Sequence, residues 1–179
     1  MNTGKIATLL VGVVVAMLVV IGITMYVTYT NKYTTLKNQY EAQVSVDKAI
    51  YDETWKVIQT QAEVSDQYAT KFKENYTAIM TSRNYGGELM KWVTENNPNF
   101  SPELYSKLMN SIESLRAKFT TNQKHLIAIH KELKDLTGLF PSNVFLSGRT
   151  VPDLVLVTSE KTDETFSTKR ENDVQLFKK

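Results

Sequence analysis

The chain has 179 residues, 21 Lys and Arg against 19 Asp and Glu, and a net charge of only +2. That length holds one compact domain and one membrane span, and the charge balance argues against a nucleic-acid binder, which needs a concentrated basic face. The lack of cysteine excludes a disulfide framework, a thiolate metal site and a cysteine nucleophile, and two histidines are too few for a histidine-rich metal centre.

Residues 6–27 form a run of 22 residues without a charge. As a helix rising ~1.5 Å per residue it would be about 33 Å long, enough to cross a hydrocarbon core of roughly 30 Å. Lys5 marks one end, and Tyr26, Tyr29, Lys32 and Tyr33 mark the other, as a lipid–water interface favours. The run is too long for a cleaved signal peptide, and Thr24-Met25-Tyr26-Val27 lacks a small-x-small cleavage pattern. A pilin-like leader would want Glu at the fifth position after Gly4, where this chain has Leu9.

Gly4, Thr8, Gly12 and Ala16 recur every four residues, a spacing that lets two membrane helices approach closely and self-associate through this face, although small residues are also simply common in such helices. One lysine precedes the span, Lys5, and two follow soon after, Lys32 and Lys37, with the α-amino group offsetting the difference. A single-pass protein is therefore expected, its sidedness tipped only slightly toward a cytoplasmic bundle.

Beyond the span, Tyr33, Leu36, Tyr40, Val44, Tyr51, Trp55, Ile58 and Ala62 make a stripe at spacings of three and four, with one step of seven between Val44 and Tyr51. No Pro occurs before Pro98 and no Gly between Gly22 and Gly86, so the membrane helix is expected to run on into the first bundle helix. Ser65 or Asp66 is placed to cap a second helix with the stripe Tyr68, Phe72, Tyr76, Ile79 and Met80. Tyr85-Gly86-Gly87 predicts a break, followed by a short amphipathic piece over 88–94 carrying Met90, Trp92 and Val93. Asn96-Asn97-Pro98-Asn99 reads as a turn. Ser101-Pro102-Glu103 then supplies a hydroxyl cap, a proline where its missing N–H is harmless, and an acid at the positive end of the helix dipole.

The helix it opens has the clearest pattern. Tyr105, Leu108, Ile112, Leu115, Phe119, Asn122, Leu126, Ile129, Leu133, Leu136 and Phe140 follow at intervals of three and four, a heptad seam ended by Gly138 and Pro141. Asn122 is the one amide in it: it can fix register or partner, face solvent, or bond a Ser or Thr on a neighbouring helix. Residues 151–158 are β-branched and short enough for a strand, but no second strand offers itself, so they are expected to lie along the bundle or pair with another copy. Residues 159–179 carry five basic and five acidic side chains and read as a mobile tail with a docking end at Leu176 and Phe177.

The expected fold is all-α: an anchor over 1–32, an elongated antiparallel bundle over 33–143, and an extended, partly disordered tail over 144–179.

Chemistry is sparse. His125 and His130 are five apart, about 140° around a helix, so they cannot share a metal as a four-apart pair does. Gly86-Gly87 has neither the preceding strand nor the following Lys-Ser/Thr of a phosphate loop. Asn75-Tyr76-Thr77 and Asn99-Phe100-Ser101 match glycosylation acceptors, a triplet frequent by chance. The carboxylates scatter over outer faces without an acid–base pair. No catalytic, metal or cofactor site is expected.

In layout the chain resembles the LemA family, with a short N-terminal tail, one membrane helix and a long antiparallel bundle. The residues that carry the likeness are Tyr33 and Leu36 just past the span, Asp52-x-x-Trp55-Lys56-x-Ile58 in the first bundle helix, and Phe140-Pro141-Ser142-Asn143 closing the last. The family's Arg-Arg-containing signature would fall at 64–72, where this chain differs, and Leu126 and Leu133 stand where paired Tyr-Asn motifs are expected, which makes it a divergent branch of bacterial or phage type. The resemblance implies a membrane-attached, non-enzymatic scaffold or interaction module whose partners are the bilayer and another protein or its own copies, and not nucleic acid. A sensor module that binds a small ligand between helices is the alternative expectation.

Overall fold

The computed structural model describes residues 3–82, 85–158 and 167–168. Among them the fold is all-α: α1 (Thr3–Ala62), α2 (Ala69–Thr81), α3 (Tyr85–Asn96), α4 (Pro102–Gly138) and the short α5 (Ser142–Phe145), with a 3-10 turn at Asp66–Tyr68 before α2. The tail expected over 159–179 lies outside the described residues except for 167–168.

The chain divides into two compact units, residues 1–44 with 125–154, and residues 45–124 with 155–179. In the first, α1 and α4 run antiparallel, with Lys32 paired to Glu132 at 3.0 Å and Tyr40 beside His130. Tyr33, Leu36, Tyr40, Leu126, Leu133, Leu136 and Leu146 form its core. This unit also includes residues 144–154, held down by hydroxyls: Tyr33 donates to the Thr150 carbonyl at 2.6 Å and Tyr40 to the Asp153 carbonyl at 2.7 Å. Each phenol thereby finds its partner while its ring stays buried.

In the second unit α1 and α4 are again antiparallel, joined by Lys118 to Glu53 at 3.1 Å and by Gln61 to Ser111 at 3.0 Å. Here α2 also covers α1, and Tyr51 and Trp55 each place a ring 5.1 Å from Phe72. This contact shares out the expected stripe: Tyr51 and Trp55 are half-buried, while Ile50, Thr54 and Ile58 are the fully enclosed positions. Thr54 tolerates this because its hydroxyl bonds back to the Ile50 carbonyl at 2.6 Å.

Three local expectations change. Neither Ser65 nor Asp66 caps α2: Ser65 makes no side-chain cap, and Asp66 opens the 3-10 turn and accepts from Gln59 at 2.6 Å. Gly86 and Gly87 lie inside the first turn of α3 and do not break it. The gain of glycine there is close approach, since a Cβ on Gly86 would sit 3.0 Å from Met109 Cε and 3.2 Å from the Tyr105 hydroxyl. The buried face of α3 is consequently Tyr85, Leu89 and Val93. Residues 151–158 carry no strand and lie along the bundle, one of the two courses expected of them, with the Val157 amide bonded to Gln123 Oε1 at 3.2 Å.

The start of α4 is as expected, with the Leu104 amide donating to Ser101 Oγ at 3.2 Å. Its seam is buried from Leu108 through Leu136, apart from the half-buried Ile129. Phe140 departs from the seam altogether: α4 ends at Gly138, and the Phe140 ring is 82% exposed.

Candidate functional site

Three regions hold the residues singled out by sequence. The first is the apolar part of α1. It contains a stretch long and apolar enough to cross a membrane, and none of its most hydrophobic window is buried inside the protein. Its polar groups are turned inward: Thr8 Oγ1 bonds to the Gly4 carbonyl at 3.0 Å and Thr24 Oγ1 to the Val20 carbonyl at 2.8 Å. That is how a hydroxyl is satisfied where water is absent. Gly4 and Gly12 have open space where a Cβ would stand, and Ala16 lines a wholly apolar hollow with Val13, Met17, Val20 and Ile21.

The second region is a polar node in the second unit. Asn122 is 4% exposed and donates from Nδ2 to Asp47 Oδ1 at 2.6 Å. Gln123 donates to the other oxygen of the same carboxylate, while its own Oε1 accepts the Val157 amide. The amide in the seam therefore meets a carboxylate on α1. Burial pushes the Asp47 carboxyl above its ordinary range, and the two amide donors pull it part of the way back. Tyr76 packs between Tyr51 and Phe119 with its hydroxyl buried and unpartnered, and burial, with the Asp47 charge adding, raises its phenol. The node can fix register and bind residue 157.

The third region is the turn after α4. Phe140-Pro141 is a cis peptide, Ser142 is buried and bonds to the Leu139 carbonyl at 2.9 Å, and the Asn143 amide N–H bonds to the same carbonyl at 2.9 Å. Phe145 then turns back to stack on Tyr29 of α1, ring centroids 5.7 Å apart. Pro141 and Asn143 shape this turn, whereas Phe140 points away from it.

Sequence reasoning missed the cleft between α2 and α3. It encloses about 390 Å³ and is lined by Ile79, Tyr85, Leu89 and Trp92 with Lys71, Glu74 and Glu95 among its polar walls. Lys71 and Glu95 are paired at 3.6 Å, and Trp92 Nε1 is buried without a partner. Tyr85 donates to Glu113 at 2.7 Å under the Arg116 guanidinium, 4.1 Å from the ring centroid, and burial followed by the Glu113 bond raises its phenol. Arg116 also donates to the Ile79 and Ser82 carbonyls, placing a cation at the negative end of α2. No single sequence stripe announces such a cleft, because its walls come from two helices.

Comparison with known proteins gives no match. Neither protein-family models nor curated proteins nor solved structures align with the chain. Function therefore rests on geometry. Among the described residues no three His, Asp or Glu side chains gather as metal ligands; His125 is exposed on α4, and His130 is half-buried against the Tyr40 ring of α1.

Proposed function

We propose that the chain is a single-pass, membrane-anchored helical protein acting as a scaffold or interaction module, of the LemA-like layout, without enzymatic chemistry of its own. One observation carries the reading: an apolar helix with nothing covering it continues without interruption into a packed helical body. A core helix of a water-soluble protein would be covered by its neighbours, and this window is not. Partners on this reading are the bilayer and a protein, with a second copy meeting the face of Gly4, Thr8, Gly12 and Ala16.

The test uses the absence of native cysteine. Asn110→Cys and, separately, Asn2→Cys are labelled in intact cells with a membrane-impermeant maleimide, after confirming that alkaline washing leaves the protein in membranes. Labelling at one position only establishes the span and its sidedness; release by alkali overturns the anchor. Crosslinking in those membranes then recovers either a defined neighbour or a second copy, and recovery of neither overturns the scaffold reading.

A second reading has its own observation. The α2–α3 cleft presents an unpartnered indole N–H beside apolar walls, as a site for a small ligand with one acceptor would. A ligand that occupies it raises the melting temperature of the intact chain but not of its Trp92→Phe variant.

A further inference from the structure

Leu139, Phe140 and Val144 crowd the turn between α4 and α5 and are 61%, 82% and 63% exposed. Three large apolar side chains do not sit together in water without cause. Their position supplies one. The stack of Phe145 on Tyr29 fixes the turn beside the end of the apolar stretch of α1, where Tyr26 and Tyr29 mark interface depth. One turn further along α1, the Arg149 guanidinium lies 5.5 Å from the Tyr33 ring centroid, a cation just beyond the apolar stretch. Apolar groups facing the acyl boundary with a cation at headgroup level is the chemistry of an interfacial lipid contact.

We propose that the turn carrying Leu139, Phe140 and Val144 dips into the leaflet that α1 leaves, giving this chain a second membrane contact. The inference rests on α1 spanning the bilayer. Sequence places the two contacts more than a hundred residues apart, and the fold brings them to one level. Phe140, which leaves the seam of α4, does so because its ring enters lipid.

The test uses the full chain reconstituted in phosphatidylcholine–phosphatidylglycerol vesicles, with a polarity-sensitive fluorophore on single cysteines at Met17, Lys131, Phe140 or Val144. Lipids carrying a nitroxide high on the acyl chain or at its end are the quenchers. Labels at 140 and 144 are quenched at least about twofold by the shallow nitroxide, and the label at 131, about 12 Å back along α4, is not. In a Leu139→Asp background the label at 144 loses its quenching while that at 17 keeps its quenching by the deep nitroxide. Quenching at 17 with none at 140 and 144 overturns this proposal alone. No quenching at 17 overturns the span and the proposal with it. A label at 140 shielded from aqueous iodide yet untouched by lipid nitroxide means that protein covers the turn, which also overturns it.

Discussion

Replacing Asn122 by Ala removes one of the two amide donors to the Asp47 carboxylate and leaves the other partner behind, half-buried. A hydrogen bond to a charged group contributes about 1.5–3 kcal/mol, and because Asp47 keeps part of its solvent the lower half of that range applies, so the expected loss is about 2 kcal/mol at pH 7. For a chain of this size that is a drop of roughly 4–8 °C in melting temperature. The pH dependence is the sharper criterion. The folded pKa of Asp47 is already raised, so the unfolded chain is the better place for the charge, and stability present below the unfolded pKa is lost as pH rises through the folded one. The Asn122 bond works against this by lowering the folded pKa. Removing it raises that pKa further, and the gap between wild type and variant must widen as pH rises through the folded pKa of Asp47 and close on acidification to the ordinary carboxylate range. Urea titrations of the full chain in detergent micelles, followed by Trp55 and Trp92 fluorescence, measure the gap, since both indoles belong to the same unit as the node. A gap that is flat with pH, or that widens on acidification, refutes the assignment of Asn122 to the ionised carboxylate.

Leu126→Ala should cost about 2–5 kcal/mol, since this leucine is fully enclosed in the core of the first unit and its removal leaves a cavity, and chemical unfolding reads it directly. Phe72→Ala should cost about 3–5 kcal/mol and shift Trp55 emission to longer wavelength, because Phe72 is the ring that both Tyr51 and Trp55 touch. Tyr33→Phe should cost about 1 kcal/mol and speed hydrogen exchange near Thr150, the backbone its hydroxyl holds. Arg116→Met should cost about 2 kcal/mol and Arg116→Lys less, because the Ile79 and Ser82 carbonyls at the end of α2 lose their cation in the first and keep one in the second, as thermal melts of both variants will show.

How much of this was legible in the sequence depended on whether a feature repeats. The seam of α4 could be read because packing one helix against α1 demands an apolar side chain every three or four residues, and its cap because Ser101-Pro102-Glu103 is a local signal. The apolar stretch of α1, long enough to cross a membrane, was legible from its length and composition alone. The glycine pair was misread because Gly86 answers to Tyr105 and Met109 across space and not to its own helix. The 151–158 segment was open because β-branched residues suit any extended chain, and what holds it, two tyrosine hydroxyls and one glutamine, has no period. The α2–α3 cleft was missed for the same reason. Asn122 announced itself as an exception in the seam, but its partner lies 75 residues away, beyond the reach of any spacing rule.

The unbroken run of α1 makes the helix a phase lock. Each residue advances about 100° around the axis, so the Gly4–Ala16 stripe and the Tyr33–Tyr40 face stand at a fixed angle that no intervening glycine or proline can relax. If α1 spans the bilayer as proposed, whatever met the stripe in lipid would set the azimuth of the α4 segment packed on the Tyr33–Tyr40 face. One residue inserted among 28–32 would turn that presentation by about 100°, two by about 200°, and seven would nearly restore it at about 700°. On the proposed reading of α1 as an anchor, the helix would be a keyed shaft as well as a tether, and the side of the protein that faces a partner would be set inside the membrane.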